Sequence, residues 1–136
     1  MECRHLTVAD REGAVALWQA TELTRPWNDP TDDFDRAIAG PTSTVVGGFD
    51  GERMVATVMA GHDGHRGWVY YLAVDLTVQG RGFGAQLMRF AEDWLRQQGV
   101  VKINLMVRHS NSKAREFYER LGYEDGGVTV LGRWLT

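Results

Sequence analysis

The spacing of hydrophobic and polar residues changes several times along the chain, and each change predicts an element. Residues 2–8 read as a short strand. From Asp10, a natural helix cap, Val15, Ala16, Leu17 and Trp18 gather on one side over residues 10–22 as an amphipathic helix. Arg25-Pro26-Trp27-Asn28-Asp29-Pro30 then breaks regularity twice, because a residue before proline is pushed out of the helical region. Asp29 and Pro30 form an N-cap and first-turn pair for a second helix. Phe34, Ala37 and Ile38 supply its buried stripe, and Gly40-Pro41 ends it.

Two strand-like runs follow, Ser43–Phe49 and Arg53–Ala60, joined by the hairpin signal Asp50-Gly51. A polar loop, residues 61–67, leads into Trp68–Val74, apolar or aromatic throughout and so expected to be covered on both faces. After residues 75–80 the period lengthens again. Phe83, Leu87, Phe90, Ala91, Trp94 and Leu95 mark a helix, with Gly99 as terminator. Val100–Val107 alternates as a strand. Asn111 caps a last helix with a stripe of Ala114, Phe117, Tyr118 and Leu121, ended by Gly122. The tail, Tyr123–Thr136, reads as a bent or paired strand around Gly126-Gly127. The order β-α-α-β-β-β-α-β-α-β predicts an α/β chain with a mixed sheet.

Composition narrows the possibilities. A chain of 136 residues with no repeat or linker is read as one domain, 1–136, able to bury roughly two-thirds of its extended surface. At 43% hydrophobic and 24% charged it is globular in character. The net charge of −3 excludes a generally basic, nucleic-acid-coating surface, although all but two of its 15 cations are Arg and a local basic patch stays open. The single cysteine, Cys3, offers no internal disulfide and no metal framework. No apolar run approaches the roughly 20 residues that span a bilayer, and the first residues lack the layout of a secretory signal. A cytoplasmic location, no membrane partner and no metal are therefore expected.

The densest chemical signal is Gln79-Gly80-Arg81-Gly82-Phe83-Gly84, between a strand and a helix. Glycines let the backbone curl and let a ligand approach. The helix start adds unpaired N–H groups and partial positive charge, which together suit a phosphate or diphosphate. A plain turn without ligand is one reading. A dinucleotide loop formally fits Gly80-x-Gly82-x-x-Ala85, but Asn104-Leu105 stand where an acidic residue is expected about 20 residues on. A nucleoside-triphosphate loop fails for want of Gly-Lys-Ser/Thr. Coenzyme A is the remaining reading.

Leu72-Ala73-Val74 followed by Gln79-x-x-Gly82-x-Gly84 resembles the acyl-CoA signature of the GNAT N-acetyltransferases. Asn111-x-x-Ala114-x-x-Phe117-Tyr118-x-x-Leu121-Gly122-Tyr123 resembles that family's second signature, and the β-α-α-β-β-β start fits the rest of its fold. Arg25–Pro30 and Asp63-Gly64-His65-Arg66-Gly67 look like the bacterial YpeA-like branch.

The resemblance implies a mixed, mostly antiparallel central sheet flanked by helices, with a V-shaped slot between the fourth and fifth strands. Acetyl-CoA would be the cosubstrate. Leu72, Ala73 and Val74 would lie along the pantetheine arm, backbone groups of Leu72 and Val74 pairing with it like an added strand. Amides of Gln79, Gly80, Arg81, Gly82, Phe83 and Gly84 would hold the diphosphate, with Arg81 adding a charge-assisted contact. Val74's amide would polarise the thioester carbonyl. Tyr118 would be the general acid, since a phenol near pKa 10 can protonate a departing thiolate whose ordinary value is near 8.5; packing in an apolar stripe is its other reading. Asn111 would cap its helix, contact pantetheine, or both.

Many members of this family carry an acidic residue on the strand before the signature, but Val69-Tyr70-Tyr71 has none. Asp63 and His65 are the candidates for a base, with Glu22 and Asp29 behind them and a water chain as a further option. Trp27, Asn28, Asp29, Tyr70 and Tyr71 are expected to wall the acceptor site, with Tyr70 and Tyr71 on opposite faces of their strand. The expected reaction is acetyl transfer to a primary amine of a small molecule or a protein N-terminus. A catalytically degenerate acyl-CoA sensor is the alternative, and a homodimer stays open.

Overall fold

The computed structural model describes all 136 residues. They form two compact units, Met1–Met106 and Val107–Thr136. No change of composition marks this division, which is why the sequence reads as continuous.

In the first unit the elements are β1 (Glu2–His5), α1 (Arg11–Ala20), α2 (Pro30–Ala39), β2 (Ser43–Asp50), β3 (Arg53–His62), β4 (Gly67–Val74), α3 (Phe83–Gln97) and β5 (Ile103–Asn104). The sheet order is β1-β2-β3-β4-β5. β1 to β4 pair antiparallel, and β4 pairs parallel with β5. Trp18, Phe34, Leu17 and Ala37 of the first two helices pack with Val45 and Ala73 in one buried cluster. On the opposite face, Gly48 of β2 leaves room for Leu87 of α3. Large buried aromatics such as Trp18 and Phe34 each cost about 3–5 kcal/mol to truncate, so the α1–α2 layer is firmly held. No helix is long and apolar enough to cross a membrane.

Several expectations shift. β1 stops at His5, and Val8–Asp10 form a 3-10 turn instead. Asp10 occupies the N-cap position of α1 but turns its carboxylate back to the Thr7 amide at 2.9 Å and to Arg4. The buried face of α1 is Ala14, Leu17 and Trp18, with Val15 half-buried against the same cluster and Ala16 exposed. Asp29 does cap α2, accepting from the Thr31 amide at 2.9 Å. β4 is not covered along its whole length: Tyr70 is 44% exposed.

The strand expected over Val100–Val107 shrinks to two residues, and Val101 is exposed. Alternation shows that a segment can be a strand, but pairing needs a neighbour's free edge at the right angle, and β5 keeps that only against Gly67 and Trp68. In the second unit α4 spans Ser112–Arg120, capped by Asn111, whose side chain accepts from the Ala114 amide at 3.1 Å. Residues 123–136 form no strand, and Val128, Leu131, Trp134 and Leu135 are exposed.

Candidate functional site

The first unit's chemistry is organised by one irregularity in β4. Thr57 of β3 pairs with Ala73 and Met59 pairs with Tyr70, so Val58 alone opposes both Tyr71 and Leu72. The extra residue is a β-bulge, and Tyr71 takes φ 52°, a left-handed backbone uncommon for a bulky residue. Main-chain groups alternate between the two edges of a strand, and the bulge switches their parity. Before it, Gly67 donates its amide to Lys102 on the β5 side at 2.9 Å. After it, Asp75 donates to Val55 on the β3 side at 2.8 Å. The amides and carbonyls of Leu72 and Val74 therefore face the edge where β5 no longer pairs. Ala73 faces β3, and its side chain is buried, so its expected place along the cofactor is lost.

That free edge runs straight into the glycine loop. Asp75 starts a 3-10 turn by accepting from the Thr77 amide at 2.9 Å, and Arg53 pairs with it at 2.9 Å. The Thr77 hydrogen bonds, then Arg53, hold its carboxyl below the usual range. Gln79 folds back to donate Nε2 to the Val74 carbonyl at 3.2 Å. Gly80 and Gly82 adopt φ 83° and 80° with open space where a Cβ would stand. Only glycine takes that backbone without strain. The α3 ladder begins at Gln86, whose amide donates to the Gly82 carbonyl at 3.1 Å, leaving the amides of Phe83, Gly84 and Ala85 without a carbonyl partner. Such an amide cluster at a helix start is an anion cradle.

A cleft of about 370 Å³ lies against the same strand, lined by Asp33, Arg36, Ala37, Ser43, Met59, Tyr70 and Tyr71. Tyr70 and Tyr71 share this cleft instead of facing apart, because the positive φ at Tyr71 breaks the two-residue period. The Tyr71 ring stacks on Trp18 with centroids 3.9 Å apart. Its hydroxyl donates to Asp33 at 2.8 Å, and Asn28 donates both to Asp33 and to the Tyr71 oxygen. Arg36 completes the group, 2.6 Å from the other Asp33 oxygen. Burial, then the hydrogen bond to Asp33, pushes the Tyr71 phenol far above its usual range. Burial, then the charge of Asp63, raises Tyr70 as well.

Other expected site residues lie elsewhere. Asp63 accepts the amides of Arg66 and His65 at 2.8 and 2.9 Å, which hold its carboxyl low and make it the anchor of the β3–β4 turn. Along β4, this turn and Val74 stand at opposite ends of eight residues that span six steps of β3, about 20 Å of strand. Asp63 and His65 therefore sit toward the opposite end of β4 from Val74, while the charge of Asp63 still reaches Tyr70 at the cleft. Asp29 is occupied as a cap, Glu22 is an exposed residue just past the end of α1, and Trp27 is 63% exposed and absent from the cleft lining. Asp33, which sequence reading missed, had one signal: it precedes buried Ala37 by one helical turn and so shares its stripe.

In the second unit, Tyr118 makes edge contacts with the Phe117 and Tyr123 rings, centroids 5.1 and 5.8 Å away. Burial pushes its phenol up to about 12, so it keeps its proton throughout the neutral range.

A family model described as the acetyltransferase (GNAT) family matches residues 12–123. The chain belongs to the GNAT acetyltransferase family. This GNAT chain is 40% identical over 136 residues to an acetyltransferase of Yersinia enterocolitica, covering 99% of itself and 96% of that protein. Among solved structures it resembles AAC(6')-Iy in complex with the bisubstrate analogue CoA-S-monomethyl-acetylneamine (TM-score 0.85, 12% identity, 99% and 98% of the two chains). It also resembles a predicted acetyltransferase with acetyl-CoA from Clostridium acetobutylicum (TM-score 0.82, 15% identity, 97% and 95%). At these identities the structural matches speak for the GNAT fold alone.

Proposed function

We propose that the chain transfers an acetyl group from acetyl-CoA to the amine of a small molecule or protein N-terminus, by direct attack in a ternary complex. The observation that carries this reading is the free edge at Leu72 and Val74, leading without interruption into the unpaired amides at the start of α3. An extended amide-bearing arm pairs with such an edge by main-chain hydrogen bonds, and a diphosphate suits the cradle. Arg81 adds charge at its rim. The Val74 amide then donates to the thioester oxygen and steadies the oxyanion as the amine attacks.

The cleft under Tyr70 and Tyr71 receives the acceptor. The attacking nitrogen loses its proton through the Tyr71 hydroxyl to Asp33, the cleft's own carboxylate. Tyr118 returns a proton to the departing thiolate, a role consistent with a phenol that stays protonated at neutral pH. Asn111 contacts the pantetheine arm with its remaining amide donors.

A second reading, an acyl-CoA sensor without turnover, has one observation in its favour: Asp33 already accepts from Tyr71, Asn28 and Arg36. Following thiol release from acetyl-CoA across an amine panel separates the two. The expected outcome is release with at least one amine by the wild type, and a loss of about 100-fold for Tyr118→Phe with acetyl-CoA affinity kept. Equal turnover in both proteins removes Tyr118 as the acid. Saturable binding with no release from any amine favours the sensor.

A further inference from the structure

Thr57 is a fully buried polar residue in the middle of β3, where a valine of the same shape would avoid burying a hydroxyl. Its hydroxyl joins two distant parts of the chain. Trp18, which can only donate, gives Nε1–H to the Thr57 oxygen at 2.8 Å. Thr57 in turn donates to the main-chain carbonyl of Tyr71 at 3.0 Å. That carbonyl belongs to the bulge residue, in the stretch where Val58 faces two residues and the regular ladder is interrupted. The hydroxyl substitutes for the missing ladder donor. The indole stacked on the Tyr71 ring closes the clamp from the other side.

We propose that Thr57, held by Trp18, is the positioning residue that fixes the cofactor-facing edge of β4 through Tyr71. Without the extra residue, β3 would pair with Leu72 and Val74, and Ala73 would look outward. A left-handed Tyr71 is strained and persists only where its surroundings over-determine it. The Trp18–Thr57–Tyr71 chain is that surrounding. It joins residues 39 and 14 positions apart, so it acts on β4 only in the folded protein. The inference rests on the acetyl-CoA reading above.

The test compares acetyl-CoA affinity, measured by calorimetry well below each protein's unfolding midpoint, for wild type, Thr57→Val and Thr57→Ser. Thr57→Val keeps the shape and deletes the hydroxyl; it should melt earlier, because the Trp18 N–H and Tyr71 carbonyl lose their partner, and bind about tenfold more weakly. Thr57→Ser restores the hydroxyl and should return affinity to within about twofold of wild type. A folded Thr57→Val protein with wild-type affinity overturns the proposal, since a purely structural role lowers the midpoint without touching binding. Should Thr57→Val fail to fold, Trp18→Phe decides: it keeps a ring over Tyr71 and loses the N–H donor. A loss of about threefold supports the clamp, and unchanged affinity overturns it. A wild-type protein that binds no acetyl-CoA sinks the acetyl-CoA reading and takes the clamp's role with it, whereas a wild type that binds as well as Thr57→Val sinks the clamp alone.

Discussion

The two ends of the first unit's site are built from different materials. From Leu72 to Ala85 the functional groups are main-chain amides and carbonyls, and side chains matter mainly by being absent, as at Gly80 and Gly82. The neighbouring cleft is made of side chains from α2, β2, β3 and β4, with Asp33 at the centre of its polar group. A main-chain site asks only for a backbone path, so a short run of sequence encodes it. A side-chain site depends on which elements the fold brings together, so no local run does.

This contrast can be broken by substitution at either end. The largest effect is expected for Gly82→Glu, which forces a side chain into φ 80° at a cost of about 1–2 kcal/mol and sets a carboxylate against an anion site. Calorimetry should show acetyl-CoA affinity lower by about 100-fold or more; unchanged affinity would remove the cradle from the account. A smaller and different effect is expected for Asp33→Asn. Thiol release should fall about tenfold while acetyl-CoA affinity stays within about twofold, because the cleft and the cradle use separate groups. Should both quantities fall together, the two regions are one energetic unit and the contrast fails.

The smallest effect concerns pH and spans both units. Burial raises the phenol of Tyr118 from an ordinary 10.0 to about 12, and raises Tyr71 further. A raised folded value means that stability is fully present below about pH 10 and is lost as the solution passes upward, because the unfolded phenols ionise first. The urea midpoint should therefore be flat from pH 8 to 9 and lower at pH 11, and Tyr118→Phe should shrink the drop. A midpoint unchanged at pH 11 would mean that these phenols are not buried in solution.

Much of the fold is legible in local pattern. The helix starts at Asp29-Pro30 and Asn111, the hairpin near Gly51 and the α3 helix each depend on a few neighbouring residues and form where their pattern lies, although α3 buries Gly84 and Met88 with Leu87, Ala91 and Leu95 and leaves Phe83, Phe90 and Trp94 half-buried. What failed was non-local. Val100–Val107 and the tail have strand-like sequences, yet a strand exists only with a partner edge, and no residue inside the segment encodes that edge. Tyr70 and Tyr71 fail in the same way, since two-residue alternation assumes a regular strand and the bulge is fixed by Thr57 and Trp18 from elsewhere.

By itself, then, the sequence determined the order of helices and strands in the first unit, the glycine path through residues 79–84 and the family signatures, because these rest on backbone preference and short-range spacing. Only the tertiary structure decided which edge of β4 stands free and which carboxylate enters the cleft. Each of these is set by contacts between residues far apart in the chain. Their energies arise only once α1 has buried Trp18 against the sheet.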